Sequence, residues 1–284
     1  MKKALSILLM VVMMTSSVFA TSSNKVVVSI GKDLNKEQRE QMLDLFGVDE
    51  NVNIVEVTNS EERKYLGNHV SSKLLGTRAI SCSYVEELSS GSGIQAQVYN
   101  VTWVTKEMVT NALVTAGVKD AKVKVAAPFN VSGTAALTGI IKAFEDATGK
   151  NISEEEKEIA NEEIAKTGEL GQEIGKDEAS QLIQSVKEQV VEKNAEKPEE
   201  IKQIVNDTSE QLNITLNKEQ VQKIVELMEK ISKLDLDLGE IKGQLKNITD
   251  KLGDLTKNNE EVKSILGRIL DFVKGIFEGL FGSK

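Results

Sequence analysis

Hydrophobic and polar positions follow two different periods along this chain of 284 residues, and the period changes near Pro128. Before Pro128, short apolar or alternating runs predict five strands. These runs are Val26–Ile30, Val52–Thr58, Ala79–Leu88, Ile94–Val104 and Ala121–Ala127. The glycine and serine residues at 89–93 are typical of a hairpin loop between the third and fourth strands. Helical patterns separate the other strands, so this order predicts a mixed sheet with helices packed on it.

After Pro128, apolar residues recur every three or four positions and predict five helices. The predicted helices are Thr134–Thr148, Ser153–Lys166, Asp177–Lys193, Glu199–Leu212 and Asn217–Leu234. Ser153 with Glu156 forms a capping-box pattern, as does Asn35 with Gln38 at an earlier helix start. The pattern predicts an α+β protein, in which a mixed β-sheet N-terminal domain at 21–130 precedes an acidic all-helical C-terminal region at 131–252.

The first 20 residues have the pattern of a secretory signal peptide. Lys2 and Lys3 precede a short apolar run, and Val18 and Ala20 are the small residues of a cleavage site. We expect cleavage after Ala20, with an uncut membrane anchor as the alternative. The sequence therefore predicts a secreted, extracytoplasmic protein. Its one cysteine, Cys82, has no partner for a disulfide and is expected to be a small buried hydrophobic residue.

The C-terminal residues 261–284 predict an amphipathic helix that follows a hinge at 253–260. The residues predicted to contact a membrane or partner share one apolar arc with three phenylalanines. They are Ile265, Ile269, Phe272, Val273, Ile276, Phe277, Leu280 and Phe281. Four basic and two acidic side chains follow position 261. This composition favours peripheral contact with an anionic surface on the outer face of the cell membrane.

The same C-terminal residues permit two other interpretations. Apolar residues at 238–280 can be aligned with a coiled-coil repeat, which favours self-association or contact with an envelope protein. Glycines in this stretch weaken a long coil, because each costs up to about 1 kcal/mol relative to alanine. Docking of the apolar face onto the protein's own helices is the third interpretation.

Composition limits the chemistry that this chain can perform. It has one His and one Cys, which argues against zinc or thiol sites, and we assign no catalytic residue, metal or cofactor. The net charge of −9 argues against nucleic acid as a partner. Residues 151–200 contain 15 acidic and 6 basic side chains, so this block carries most of the negative charge.

Two loops are weak candidates for ligand binding. Ser132, Gly133 and Thr134 lie at the start of a predicted helix, whose free N–H groups attract anions. Alternatively, Ser132 or Thr134 caps the helix, and Gly133 and Gly139 permit its close packing against the sheet. Thr77 and Arg78 precede a strand, where the arginine could bind a carboxylate or phosphate or form an ordinary salt bridge.

Three further groups fit structural roles better than functional ones. His69 has no accompanying nucleophile motif, so we expect a surface or structural histidine. Acidic residues at 154–156 and 162–163 lack the spacing of a calcium loop. At helical spacing, such residues mostly form a solvated face.

Several ordered motifs in this chain resemble one family. They are Glu37–Gln38 with Gln41–Leu43, Gly76–Ser81, Gly91–Gly93, Thr102–Thr105, Asn111–Val118 and Val131–Gly139. Over about residues 25–255 the chain is similar to the secreted Gram-positive family catalogued as domain of unknown function 1002. The resemblance implies an extracytoplasmic envelope protein and transfers no catalytic or binding residue.

These observations together predict an exported, envelope-associated binding or scaffold protein rather than an enzyme. A carboxylate-based hydrolase acting on cell-wall polymer is the enzymatic alternative, and it requires two acids in one cleft. A coiled-coil interaction protein is the other alternative.

Overall fold

A computed structural model describes residues 25–239 together with Ile241 and Gly243. Five strands form one sheet: β1 Val26–Gly31, β2 Asn53–Val57, β3 Cys82–Glu87, β4 Ile94–Val101 and β5 Ala121–Val131. Between them lie α1 Lys36–Phe46, α2 Asn59–Leu66, α3 Ser72–Leu75 and α4 Lys106–Thr115. The remaining described helices are α5 Thr134–Thr148, α6 Glu154–Ile174, α7 Lys176–Glu192, α8 Pro198–Gln211 and α9 Lys218–Ile231. The fold is α+β, as the two periods predict.

The sheet is mixed, with the strand order β2-β1-β3-β5-β4. Strand β1 pairs with β2 in parallel, and β4 pairs with β5 in parallel. The central strand β3 is antiparallel to both of its neighbours, β1 and β5. The carboxyl ends of the other four strands therefore meet at one edge of the sheet, where β3 begins.

The sequence-based prediction of a hairpin between the third and fourth strands is wrong. Strand β5 lies between β3 and β4 and pairs with both of them. Alternation along a strand shows which faces are buried but not which strand lies alongside, so a loop of glycine and serine does not establish pairing. Pro128 also does not end the last strand, because β5 continues to Val131 beside the irregular end of β4.

Helices cover the sheet on both faces. Helix α1 packs on one face through Met42 and Phe46, which contact Val28, Ile30 and Tyr84 of the strands. Helices α4 and α5 pack on the opposite face, in the largest apolar cluster. Gly139 permits the close approach of α5, because a Cβ atom there would lie 2.0 Å from Ser29 Oγ.

The helices after α5 have a second apolar core. Its largest buried side chains come from α7, α8 and α9, including Leu182, Ile201 and Met228. The capping boxes predicted at Asn35 and Ser153 are confirmed. The pentapeptide Leu34–Gln38 recurs as Leu216–Gln220 and begins two helices in the same way, since Asn217 also forms a capping box with Gln220.

The predicted signal peptide at 1–20, the hinge at 253–260 and the tail helix at 261–284 lie outside the described residues. Among the helices of the described part, none is long and apolar enough to cross a membrane.

Candidate functional site

The two loops selected from the sequence form opposite walls of one cleft. It lies at the carboxyl edge of the sheet and has a volume of about 380 Å³, within the roughly 300–1,000 Å³ range of ligand pockets. Both predicted groups, Thr77 with Arg78 and Ser132 to Thr134, line it. In open α/β sheets, ligands bind beyond the carboxyl ends of parallel strands, and four of the five strands here end at this edge.

The loop that carries Thr77 and Arg78 is held at both ends. Arg63 on α2 donates a hydrogen bond of 2.5 Å from Nη2 to the Gly76 carbonyl. The Ala79 backbone N–H donates to Asp33 Oδ2 at 2.7 Å. Gly76 has a φ of +63°, which glycine adopts without the cost of a Cβ, so the chain can turn from α3 toward β3. Two exposed side chains, Thr77 and Arg78, project from this anchored turn.

The opposite wall is the start of α5, and its N-cap residue is Gly133. The prediction that Ser132 or Thr134 caps this helix is wrong, because no local side chain forms a capping hydrogen bond. Ser81 Oγ instead accepts a hydrogen bond of 2.8 Å from the Ala136 N–H. The amides of Thr134 and Ala135 precede it in the first helical turn, where no intrahelical acceptor exists. Both residues line the cleft.

Both the backbone conformation and the available space require glycine at position 133. Its φ of +105° lies in a region that L side chains rarely adopt, and a Cβ atom would lie 2.5 Å from Val101 Cγ1. The end of β4 therefore packs directly against the N-cap of α5. A larger residue would displace the first turn of α5 from the cleft wall.

Lys73 and Arg78 give the cleft its charge. Both side chains are exposed and line the cleft. Across the part of the chain that the structure describes, neither forms an ion pair. The alternative of an ordinary salt bridge at Arg78 is therefore not found among these residues. Two cations beside a helix N-terminus favour an anionic ligand.

A buried carboxyl group lies behind the helix start. Glu62 on α2 is fully buried and accepts a hydrogen bond of 2.6 Å from Thr134 Oγ1. Burial raises the pKa of Glu62, and the hydrogen bonds from Thr134 and Asn59 only partly oppose this shift. The Thr134 hydroxyl is thus directed toward Glu62 and does not cap the helix that it begins.

The lining of the cleft does not supply the acid pair of a glycoside hydrolase. Such enzymes use two carboxyl groups that flank the bond to be cleaved. No aspartate or glutamate belongs to the described residues that line the cleft. The hydrolase alternative therefore remains a prediction without a paired acid in this cleft.

The other candidate residues have structural contacts. His69 Nε2 lies 2.7 Å from Glu158 Oε1, which agrees with the predicted structural histidine. Glu162 and Glu163 are buried and form ion pairs with Lys230 and Lys187, so the prediction of a solvated face is wrong for them. Helix packing placed these two carboxylates beside lysines of neighbouring helices, which a single helix pattern does not reveal.

Cys82 is fully buried, as predicted, and burial raises the pKa of its thiol to about 12. The thiol therefore stays protonated at neutral pH. Within the described residues, no cluster of three or more His, Cys, Asp or Glu side chains could hold a metal ion.

Two residues that line the cleft, Lys73 and Phe129, were missed from the sequence, as was the buried Glu62 behind the start of α5. Lys73 lies in a stretch without a clear period, and the short helix α3 that positions it was not predicted. Phe129 lines the cleft and is 42% exposed, so it offers a ligand a flat apolar surface. Phe129 follows Pro128, where the apolar run predicts the end of the last strand, so no local signal placed it in β5.

The fold and the cleft define an α+β protein with a basic, partly apolar cleft at the carboxyl edge of a mixed sheet. Residues 30–248 match the family described as "Protein of unknown function (DUF1002)", and the chain belongs to that family. It is 39% identical over 256 residues to the "Uncharacterized protein YpuA" of Bacillus subtilis (strain 168). That alignment covers 90% of this chain and 88% of the relative. No solved structure gives a significant match.

Proposed function

We propose that this protein is an exported binding protein of the cell envelope, and that its cleft binds an anionic ligand. One observation carries the proposal: two loops more than 50 residues apart in sequence form a single cleft with two basic side chains on its surface. The Thr134 and Ala135 amides add donors for a carboxylate or phosphate oxygen. Phe129 favours a ligand that also has a ring or another apolar part.

The location in the envelope is supported by the two ends of the chain. The pattern of residues 1–20 is that of an export signal, and residues 261–284 combine an apolar arc with net positive charge. We propose that the tail contacts anionic lipid on the outer face of the membrane. The cleft would then bind its ligand close to that surface.

Removal of Arg78 tests the cleft directly. Isothermal titration calorimetry of the full chain with sn-glycerol 3-phosphate should show saturable binding, whereas glycerol should show none. A hydrogen bond to a charged group contributes about 1.5–3 kcal/mol, so Arg78→Ala should raise Kd roughly tenfold or more. Binding should also weaken as salt is added, because the charges are exposed.

Arg39→Ala is the matched control. Arg39 lies on α1, on the other side of the sheet, and its side chain is 3.6 Å from Glu56. The Arg39→Ala substitution removes one positive charge from the molecule, as Arg78→Ala does, but it leaves the cleft unchanged. Equal affinities for the Arg78→Ala and Arg39→Ala variants would contradict binding in the cleft.

A further inference from the structure

Strand β4 lies at an open edge of the sheet, where among the described strands it pairs with β5 alone. The Ala121 N–H donates a hydrogen bond of 3.2 Å to the Gly93 carbonyl. Every second residue from Gly93 therefore directs its backbone groups to β5, and the residues between them direct theirs away. These residues are Ile94, Ala96 and Val98. Within the described part of the chain, no hydrogen bond reaches the open side of their backbone.

The opposite edge of the sheet, strand β2, is protected. It has five residues, among them the charged Glu56. Lys142 on α5 also donates a hydrogen bond of 2.6 Å from Nζ to the Glu56 carbonyl. Short length, charged side chains and covering groups are common means of preventing an edge strand from pairing. Strand β4 has eight residues without a charge or a proline, and its pairing with β5 is irregular only after Tyr99.

The side chains at the open edge favour a second copy of the chain as the partner. The exposed residues of β4 include the neutral Gln95, Gln97 and Tyr99, and Tyr99 is 40% exposed. The neighbouring Lys122 and Lys124 lie one strand further in, on β5. Two copies can therefore meet edge to edge without opposed like charges, although the whole chain carries a net charge of −9. Antiparallel pairing about a twofold axis makes such an edge complementary to itself.

We propose that β4 pairs antiparallel with β4 of a second copy, so that the two five-stranded sheets join into one. The twofold axis passes through the pair formed by Ala96 and its copy, since this register alone pairs all three open residues. Ile94 then exchanges backbone hydrogen bonds with Val98 of the partner subunit. On the exposed face, Gln95 lies directly opposite Gln97 of the partner subunit.

Charges at these opposed positions test the pairing in the full chain. Sedimentation equilibrium over a range of concentrations should show a monomer and a dimer. Gln95→Lys with Gln97→Lys places like charges opposite each other twice and should raise the dimer Kd roughly tenfold, as should Gln95→Glu with Gln97→Glu. The matched control, Gln95→Lys with Gln97→Glu, changes the same positions but opposes unlike charges. It should lower the dimer Kd below that of the unmodified chain.

The three variants separate pairing through β4 from other associations. A dimer held by another surface, including residues 238–280, would keep one Kd in all three variants, and this result would overturn the proposal. A chain that stays monomeric at every concentration would overturn it as well. Equal weakening by all three variants would show that Gln95 does not lie opposite Gln97 of the partner subunit.

A disulfide provides a second test. Opposed residues that exchange no backbone hydrogen bonds have Cα atoms about 4.5 Å apart, which is within disulfide range. Gln95→Cys with Gln97→Cys should therefore give a disulfide-linked dimer in most molecules on non-reducing electrophoresis. The control pair, Lys202→Cys with Gln203→Cys, uses exposed positions on α8 and should stay monomeric, since Cys82 is buried in both variants. Equal dimer fractions for the two pairs would contradict pairing through β4.

Discussion

Glu62 and Thr134 connect the interior of the protein to the wall of the cleft. The carboxyl group is fully buried, yet its described polar contacts are only the Thr134 hydroxyl at 2.6 Å and the Asn59 amide at 3.5 Å. Burial raises the pKa of Glu62 because an ionised carboxylate loses its hydration there. The charge state of this one residue therefore affects both folding and the orientation of the first residue of α5.

The pH dependence of stability should differ between Glu62→Gln and the unmodified protein. In the folded state Glu62 keeps its proton to a higher pH than in the unfolded chain. The free energy of unfolding therefore falls as pH rises from the ordinary glutamate pKa of 4.5 through the raised value. Glutamine lacks this titration, so the variant should gain stability relative to the unmodified protein as pH rises above about 4.5, as measured by urea unfolding.

Glu61→Gln is the control, and its trend should have the opposite sign. Although burial opposes the shift, hydrogen bonds from Lys142 and Thr58 hold the pKa of Glu61 below its usual value. This residue adds stability above the unfolded pKa and loses that contribution as pH falls. Glu61→Gln should therefore lose stability relative to the unmodified protein over the same rise in pH. Parallel trends for both variants would show that burial of Glu62 is not the cause.

Helices α4, α6 and α7 are joined by one buried ion pair. Lys187 Nζ lies 2.7 Å from Glu163 Oε1, and both side chains are 1% exposed. The same ammonium group donates to Thr115 Oγ1 at 3.0 Å and to the Asn111 carbonyl at 2.8 Å. Burial lowers the pKa of Lys187, and Glu163 partly offsets that effect. The network specifies the register of three helices between the sheet and the second core.

Removing one partner of this ion pair should strongly destabilise the fold. Lys187→Met leaves Glu163 buried without its counter-charge and should lower the free energy of unfolding by about 3–5 kcal/mol in urea unfolding. The double variant Lys187→Met with Glu163→Leu should be less destabilised than Lys187→Met alone, because no charge stays buried.

The exposed pair of Lys197 with Glu200 provides the comparison. Their side chains are 3.0 Å apart and largely solvated, so Lys197→Met should leave stability nearly unchanged. If the double variant at Lys187 and Glu163 lost as much as the two single variants together, the interpretation of a coupled buried pair would be wrong.

Local signals predicted the helices better than the sheet. Asn35 and Ser153 begin their helices as their capping-box patterns predict, because a cap depends on residues three positions apart. Strand pairing depends on residues far apart in sequence. The insertion of β5 between β3 and β4, and its course through Pro128, therefore had no local signal.

The candidate cleft was predictable only in its parts. The Gly133 and Arg78 loops could be selected because glycine, hydroxyl and arginine residues stood next to predicted elements. The two loops line one cleft because of the order of the strands in the sheet, and the sequence pattern does not predict that order. The burial of Glu163 was likewise hidden, since its partner Lys187 lies on another helix.

Across the whole molecule, charge is distributed unevenly. The acidic block at 151–200 carries a net charge of −9, while the cleft presents Lys73 and Arg78, and the sequence after 261 has four basic and two acidic side chains. Two regions of positive charge on an acidic protein fit a molecule that approaches anions at defined places. The acidic helical region would be repelled from the same surfaces.

Vesicle flotation tests whether the tail is one of these places. The full chain should float with vesicles that contain phosphatidylglycerol and less with phosphatidylcholine alone, because the tail combines apolar and basic residues. Burying a phenylalanine contributes about 1.5–3 kcal/mol, so Phe272→Asp should weaken association roughly tenfold or more. Ser264→Asp adds the same charge on the polar face and should have a much smaller effect. Equal flotation of these two variants, or undiminished flotation of a chain that ends at Lys257, would show that the apolar arc does not contact lipid.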